Sequence, residues 1–228
     1  MKGLIIIPAY NEESNIERAC EALNDAPAGF DHLVINDHSD DRTLQICREH
    51  GIPVIDLPVN LGIGGAVQTG YRYALEKGYD YAVQMDGDAQ HDPAYLNDML
   101  KTLTENDADM VIGSRFLKKE GYQSSPLRRV GIRYFSWLIA KLTHHTVTDP
   151  TSGFRLISRR LIECFSGDYP VDYPEPESLV YALRHGYKVL EVPVHMKERH
   201  GGSSSIGFIR SVYYAFKVSA AVIMEVCK

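Results

Sequence analysis

Short apolar runs alternate with helix-like patterns through the first half of the chain, and this alternation restricts the fold most. The apolar runs predict strands over residues 4–7, 33–36, 54–57 and 81–85. The patterns between them predict helices over residues 12–23, 40–50, 63–77 and 93–104. Strands that are separated by helices form parallel sheets covered on both faces. We therefore expect an α/β fold with a Rossmann-like, mostly parallel central sheet.

The second half of the chain is less regular. Further strands are predicted over residues 110–113, 154–157 and 188–194, and further helices over 127–142, 177–185 and 206–226. A polar stretch over 118–125 indicates a loop. We expect one catalytic domain over residues 1–200, followed by a C-terminal loop and an apolar helix over 201–228.

Composition excludes several classes of protein. The 228 residues are 44% hydrophobic, enough for one sizeable core, and a net charge of −6 argues against a nucleic-acid partner. The four cysteines form no Cys-x-x-Cys pair, so a zinc ribbon is not predicted. The run at 4–7 is too short for a signal peptide, and Lys217 and Glu225 interrupt the most apolar tail segment. We expect a cytoplasmic protein, with peripheral membrane contact left open.

Two carboxylates separated by one residue follow the fourth predicted strand. Asp86 and Asp88 come where that strand ends, and the carboxyl edge of such a sheet is where ligands bind. Paired carboxylates suit an oxygen-ligated Mg²⁺ or Mn²⁺ that also holds phosphates. Asp-Gly is also a common turn, and Asp92-Pro93 a common helix start, so a plain loop is the alternative.

Polar segments also follow the first two predicted strands. Residues 8–13 and 36–41 fall at the same edge of the sheet as the acidic pair. Asp37 offers a hydrogen-bond acceptor for a base or ribose, and Tyr10 offers a ring to lie against the base. Turn residues and helix caps explain each segment separately, but they leave the shared edge to coincidence.

Glycines open the third predicted helix, in Asn60-Leu61-Gly62-Ile63-Gly64-Gly65-Ala66. They allow the backbone to approach a ligand or a neighbouring strand closely. The spacing is not that of the dinucleotide fingerprint, and no Gly-Lys-Ser/Thr follows. A nicotinamide dehydrogenase and a P-loop kinase are both disfavoured.

The motifs, taken in order, resemble those of family 2 glycosyltransferases of the GT-A fold. They are Pro8-Ala9-Tyr10-Asn11-Glu12-Glu13, Asn36-Asp37-His38-Ser39, Asn60-Leu61-Gly62-Ile63-Gly64, Asp86-Gly87-Asp88-Ala89-Gln90-His91, Gly113-Ser114-Arg115 and Asp149-Pro150-Thr151-Ser152-Gly153-Phe154-Arg155. Within the family, the chain is similar to the branch of dolichol-phosphate mannose synthase and bacterial polyprenyl-phosphate sugar transferases. One departure is Asn36, where the family commonly has an aspartate.

The resemblance implies a role for individual residues. The implied nucleotide-binding residues are Pro8, Ala9, Tyr10, Glu12, Asp37, Gly65, Asp86 and Arg199, the last on a closing loop that grips the pyrophosphate. The implied metal site is formed by Asp86, Asp88 and Gln90. The implied acceptor-phosphate site is formed by Arg115 with Arg128 or Arg129. Asp88 and Arg115 are also candidate catalytic residues.

The charge of the acceptor decides whether the transfer reaction needs a general base. A cation that neutralises the departing nucleoside diphosphate supports direct, inverting displacement at the sugar. A lipid phosphate arrives ionised and needs only positioning, whereas a saccharide hydroxyl needs a general base. The arginines around helix 127–142 favour a phosphate; Glu175 or Glu177 favours a hydroxyl, and we take Glu177 as the candidate base. An acidic cluster that caps a helix is the alternative explanation for both glutamates.

We therefore predict transfer of a sugar from a nucleotide sugar, with UDP favoured over GDP, to a polyprenyl phosphate. The alternatives are a saccharide hydroxyl acceptor in cell-surface polysaccharide synthesis and, as minor readings, a sugar nucleotidyltransferase or a nucleotide-sugar-sensing module. The tail helix is either an anchor or docking face for a small membrane partner, or a helix packed on the core or on another copy in a homo-oligomer.

Overall fold

A computed structural model describes residues 2–118, 126–196 and 217–224, with the side chains of 126–128 left out. The strands are β1 (Gly3–Ala9), β2 (Phe30–Asn36), β3 (Val54–Asp56), β4 (Tyr81–Gln84), β5 (Met110–Ser114), β6 (Arg155–Ser158) and β7 (Val189–Pro193). The α-helices are α1 (Ile16–Glu21), α2 (Thr43–Glu49), α3 (Gly62–Glu76), α4 (Leu96–Glu105), α5 (Pro126–Thr143), α6 (Arg159–Gly167) and α7 (Pro174–Arg184).

All seven strands form one sheet in the order β3-β2-β1-β4-β6-β5-β7. Every neighbouring pair is parallel except those made by β6, which runs antiparallel to both β4 and β5. The predicted mostly parallel α/β sheet is confirmed. Because β6 is reversed, the loop that precedes it reaches the same edge as the loops that follow β1, β2, β4 and β5.

Two apolar cores lie on opposite faces of the sheet, and β1 shows why. Its seven residues are all buried, so it lacks the polar alternation of a strand with one wet face. Leu4 and Ile6 pack with residues of α3, α6 and α7, while Ile5 and Ile7 pack with residues of α1 and α4. Successive side chains of a strand point to opposite faces, so β1 joins both cores.

Several helix boundaries differ from those expected. Helix α1 begins at Ile16 rather than residue 12, and α2 begins at Thr43 rather than 40, because the residues before them form the polar loops described below. Helix α6 was not expected at all. It places Leu161, Ile162 and Phe165 in the core that also contains residues of α3. Three apolar side chains are thus enough to anchor this short helix on the sheet.

The C-terminal residues are described only over 217–224, where they are helical. Val218 and Val222 are fully buried in the main core, while Ile223 and Met224 are exposed. The expected domain boundary at 200/201 lies outside the described residues. Within the described part of the chain, no helix combines the length and apolar character needed to cross a bilayer.

Candidate active site

The acidic loop after β4 lies between two other predicted segments. A Cβ atom placed on Gly87 would lie 3.4 Å from the Pro8 carbonyl oxygen and 3.7 Å from Cγ of Glu12. A Cβ atom placed on Gly153 would lie 3.1 Å from Oδ1 of Asp86. The structure therefore brings together three of the sequence motifs at the carboxyl edge of the parallel strands, and glycine at 153 permits the close approach to Asp86.

Hydrogen bonds join the loops after β1 and β2. The Asn11 amide donates to Ser39 Oγ at 3.0 Å, and the Glu12 amide donates to Thr43 Oγ1 at 2.8 Å. Asn11 has a φ of 56°, a left-handed conformation that asparagine tolerates better than most residues. This conformation turns the chain sharply beside Tyr10, whose side chain is exposed.

The buried Asp37 carboxylate orients the glycine-containing segment. Its Oδ1 accepts a hydrogen bond from the Leu61 amide at 2.7 Å, and its carbonyl accepts one from Asn60 Nδ2 at 3.1 Å. Asn36 points elsewhere: its Nδ2 donates to Asp56 Oδ1 at 2.7 Å. Asp37 therefore connects the loop after β2 to the start of α3, and its role toward a nucleotide stays a prediction.

The two adjacent glycines of α3 differ in what surrounds them. A Cβ atom on Gly64 would lie 2.1 Å from the Pro170 carbonyl oxygen, whereas one on Gly65 would lie 2.5 Å from Cβ of Leu61 in the same segment. Gly64 thus permits close packing of α3 against the chain before α7. The nucleotide contact predicted for Gly65 stays a prediction.

The acidic loop presents oxygen atoms at its surface. The Asp86 side chain is 41% exposed, and Asp88 Oδ1 accepts a hydrogen bond from the Gln90 amide at 3.1 Å. Ala89 between them has a φ of 60°. Among the described residues, no three His, Cys, Asp or Glu side chains are grouped as a metal site.

Arg115 and Asp149 form a buried ion pair beside this loop. Arg115 Nε lies 2.7 Å from Asp149 Oδ2, and Nη2 lies 2.7 Å from Oδ1, a bidentate geometry. Burial opposes the charge on Arg115, but Asp149 and the charge of nearby Asp86 raise its pKa above the ordinary value. Nη2 also donates to Thr151 Oγ1 at 3.1 Å. Arg115 is therefore held firmly within the site.

Arg155 connects the loop before β6 to the start of α7. It is buried, and it donates to the carbonyl oxygens of Pro150, Ser152 and Glu175 at 2.8, 2.8 and 2.6 Å. Burial raises the pKa of the Glu175 carboxyl, the charge of Arg155 opposes this, and the charge of Asp86 adds to it. Of the two glutamates considered as a base, Glu175 is thus the one whose pKa responds to the charge of Asp86; Glu177 is half-buried in the first turn of α7.

A comparison with known proteins identifies the fold and its chemistry. The family model described as "Glycosyl transferase family 2" matches residues 4–165, most of the chain. This chain belongs to that family. It is a glycosyltransferase, as its sequence motifs predicted.

Relatives of this glycosyltransferase are similar over most of their length. The undecaprenyl-phosphate mannosyltransferase of Micrococcus luteus is 30% identical over 90% of this chain and 88% of its own. The UDP-N-acetylglucosamine--dolichyl-phosphate N-acetylglucosaminyltransferase of Methanococcus voltae is 29% identical over 83% of each chain. The expected resemblance to the polyprenyl-phosphate branch is confirmed.

A solved structure supports the fold alone. The glucosyl-3-phosphoglycerate synthase of Mycobacterium tuberculosis, in complex with Mn²⁺, UDP and phosphoglyceric acid, superposes with a TM-score of 0.75 at 19% identity. The match covers 99% of this glycosyltransferase and 78% of the other chain. The GT-A fold is therefore confirmed.

Two predicted arginines cannot be located in this glycosyltransferase. Arg199 and the side chain of Arg128 lie outside the described residues. Arg129 is described, and its side chain is exposed on α5. Its predicted contact with an acceptor phosphate stays a prediction.

Sequence reasoning overlooked several residues that shape the site. Asp149 and Arg155 belong to one of the family motifs, but no role was predicted for either residue. His91 follows the predicted metal ligands, and no role was predicted for it. Glu191 had a weak signal, a single acid in an apolar strand, which indicates a buried partner. In the structure, its carboxylate accepts hydrogen bonds from the Thr148 amide at 2.8 Å and the Asp149 amide at 3.0 Å.

Proposed function

We propose that this glycosyltransferase transfers a sugar, with inversion, from a nucleoside-diphosphate sugar to a polyprenyl phosphate, using Mg²⁺ or Mn²⁺. The observation that carries the acceptor assignment is one face of α5. Arg129 and Arg133 are exposed there beside the exposed side chains of Val130, Tyr134 and Trp137. Guanidinium groups among apolar side chains suit a ligand that combines a phosphate with a hydrocarbon chain. The names of the M. luteus and M. voltae relatives support the same class of acceptor.

Helix α5 packs on the rest of the domain through the face opposite these arginines. Ile132, Phe135 and Ile139 are buried in or near the core, and Ser136 Oγ donates to the Thr148 carbonyl at 3.3 Å. Thr148 directly precedes Asp149, the partner of Arg115. The middle of α5 therefore contacts the loop that carries the ion pair.

The oxygen donors of the acidic loop fit a hard divalent cation. Magnesium is commonly held by one or two carboxylates together with substrate phosphates, which agrees with the exposed Asp86 carboxylate. Asp86, Asp88 and Gln90 are the residues that would hold it. When bound, the cation stabilises negative charge on the departing nucleoside diphosphate. Complexes of the M. tuberculosis neighbour with Mn²⁺ or Mg²⁺ support this choice.

The chain's own residues provide orientation and charge. The loops after β1 and β2, with Tyr10, Glu12 and Asp37, bind the nucleoside. An oxygen of the acceptor phosphate then bonds to the anomeric carbon from the face opposite the donor diphosphate. The bond from that carbon to the diphosphate breaks, and its electron pair leaves with the nucleotide. Arg115 adds a fixed positive charge near Asp86.

An ionised acceptor requires no general base, and this separates the proposal from its main competitor. A saccharide hydroxyl acceptor would need one, and the raised pKa of the buried Glu175 carboxyl, to which the charge of Asp86 contributes, is the observation that favours it. Substituting Glu177→Gln and Glu175→Gln, each assayed for turnover at saturating substrate, tests the difference. Near-normal turnover in both variants supports a phosphate acceptor. A fall of about 100-fold or more in either one, the scale of general-base catalysis, contradicts it.

Product extraction tests the acceptor directly. Labelled UDP-sugar and, separately, labelled GDP-sugar are incubated with polyprenyl phosphate or with free saccharides, and the products are extracted into organic solvent. We expect label in the organic phase, with polyprenyl phosphate and UDP-sugar, and UDP as the released nucleotide. Label that stays in an aqueous saccharide product would overturn the lipid assignment. Asp88→Asn and addition of a chelator should each abolish transfer.

Peripheral membrane contact, on the cytoplasmic face, follows from the same face of α5. Exposed tryptophan, tyrosine and arginine side chains favour the interface of an anionic bilayer. We expect Arg133→Ala and Trp137→Ser to reduce co-sedimentation with vesicles of anionic lipid. Arg160, at the opposite edge of the sheet, is also exposed, so Arg160→Ala is the matched control and should bind as the parent does. Vesicle binding that needs a second protein would instead indicate a small membrane partner. Analytical ultracentrifugation would show whether the chain forms a homo-oligomer.

A further inference from the structure

His91 is almost completely buried directly behind Asp86. Its side chain is 1% exposed, and its ring stacks on Phe154 with the ring centroids 4.9 Å apart and the planes 14° from parallel. Its Nδ1 accepts a hydrogen bond from the Asp86 backbone amide at 3.1 Å. The imidazole therefore bridges the residue that begins the acidic loop and the residue that precedes β6.

The hydrogen bond determines which ring nitrogen carries the proton. An amide N–H can only donate, so Nδ1 must present its lone pair and the remaining proton lies on Nε2. Nε2 lies 3.9 Å from Asp86 Oδ2, beyond hydrogen-bond distance. His91 thus accepts from the Asp86 backbone through Nδ1, while Nε2 faces the Asp86 carboxylate.

Buried polar atoms without partners are concentrated around this aspartate. Among the described residues, two buried side-chain atoms have no hydrogen-bond partner: His91 Nε2 and Gln84 Oε1. Gln84 also contacts Asp86, since its Nε2 donates to Asp86 Oδ1 at 3.3 Å. An unpartnered buried polar atom destabilises the fold, so two beside one exposed carboxylate indicate a local arrangement that serves function rather than stability.

We propose that His91 is a positioning residue that holds the backbone of Asp86, and through it the side chain, in the orientation a divalent cation requires. The proposal rests on the proposed function, in which Asp86 is a metal ligand. Removing a hydrogen-bond partner that orients a metal-ligating residue commonly weakens metal affinity by about 10- to 100-fold. Packing against Phe154 is the competing explanation for a buried histidine, and the two explanations predict different results.

The decisive variants separate the ring from its nitrogen atoms. His91→Phe keeps an aromatic ring against Phe154 but removes the acceptor for the Asp86 amide. His91→Asn restores an acceptor oxygen close to the position of Nδ1. Mn²⁺ binding to the full chain is measured from the EPR signal of free Mn²⁺, with saturating UDP and, separately, GDP. Thermal unfolding of each variant is followed in parallel.

We expect His91→Phe to weaken Mn²⁺ binding by about 10- to 100-fold while its Tm stays within a few degrees of the parent. His91→Asn should recover most of the affinity. Phe154→Leu, which removes the ring stack but leaves the histidine nitrogens, should lower Tm while Mn²⁺ affinity stays within about twofold of the parent. Parent-like Mn²⁺ binding by His91→Phe, or a loss in Phe154→Leu as large as that in His91→Phe, would overturn the proposal.

If His91→Phe does not fold, a comparison of His91→Asn with His91→Gln tests the proposal instead. Asn and Gln carry the same amide group at different reach, and only Asn places its oxygen near the Asp86 amide. Mn²⁺ should bind His91→Asn more tightly than His91→Gln, and equal affinity would overturn the proposal. A parent protein that binds no Mn²⁺ overturns this inference together with the proposed metal site. A parent that binds Mn²⁺ and transfers sugar, with His91 variants unchanged, overturns this inference alone.

Discussion

The antiparallel strands β5 and β6 carry an Arg–Asp pair at each end, and the two pairs differ greatly in burial. At the active-site edge, the Arg115 and Asp149 side chains are 7% and 0% exposed. At the opposite edge, the Arg160 and Asp109 side chains are 70% and 6% exposed. The strands are the same and the chemistry is the same, so the difference in energy and function comes from the surroundings of each pair.

Burial changes what each pair costs and what it supplies. Removing two charges from water is expensive, and the buried pair offsets this through two short hydrogen bonds and further contacts to Thr151 and the Glu191-held loop. The exposed Arg160 side chain keeps most of its hydration, so its ion pair contributes little to the free energy of unfolding. The buried pair therefore fixes the position of the Arg115 guanidinium at the edge of the ligand site, and the role proposed for Arg115 in transfer depends on that position.

Breaking the buried pair from one side should have the largest effect. Asp149→Asn leaves the Arg115 charge buried without its counter-charge, so we expect a loss of about 3–5 kcal/mol in the free energy of unfolding. Urea unfolding followed by circular dichroism measures this loss. Sugar transfer should fall as well, because Arg115 is no longer held in place. A loss below about 1 kcal/mol would mean that water reaches the pair in solution.

Replacing both partners should separate stability from function. In the double variant Arg115→Met with Asp149→Leu, no charge remains buried, and apolar replacement of buried ion pairs is often neutral or stabilising. We expect the double variant to recover at least about 1–2 kcal/mol of the stability lost in Asp149→Asn, while sugar transfer stays abolished. Recovery of transfer together with stability would show that Arg115 has only a structural task.

Removing the acid at the opposite edge should have an intermediate effect. The Asp109 carboxylate is buried, and it accepts hydrogen bonds from Ser158 Oγ at 3.2 Å and the Lys188 amide at 3.0 Å. Asp109→Asn should cost about 1.5–3 kcal/mol, the usual value of hydrogen bonds to a charged group. Steady-state kinetics should show kcat and KM close to the parent values. A selective fall in kcat would contradict the assignment of this edge to stability alone.

Removing the exposed arginine should have the smallest effect. Arg160→Ala takes away a largely solvated charge, and exposed ion pairs contribute about 0.2–1 kcal/mol. The shift in the urea midpoint should shrink further in 0.5 M salt, since screening at roughly that ionic strength weakens surface pairs. A loss comparable to that of Asp149→Asn would mean that the two edges are energetically alike.

Local patterns were sufficient for most strands and for the position of the acidic loop. Residues 4–7 of β1 and residues 82–83 of β4 are apolar and buried, so the local sequence predicts these strands without knowledge of distant partners. The metal-ligand role of Asp86 and Asp88 comes from the spacing of two carboxylates and stays a prediction. Helix α6 and the start of α7 were mispredicted because short amphipathic segments depend on packing for stability rather than on propensity.

The sequence by itself determined the strand–helix alternation, the family motifs and the acidic loop, because these depend on periodicity and on neighbouring residues. Only the tertiary structure decided that β6 runs antiparallel, which brings Asp149 to Arg115 across 34 residues and Gly153 to Asp86. It also decided that His91 accepts from the Asp86 amide. These pairings join residues that are distant in the sequence and meet only in the folded core. There, a charged or polar group without a partner is costly because it has lost its contact with water.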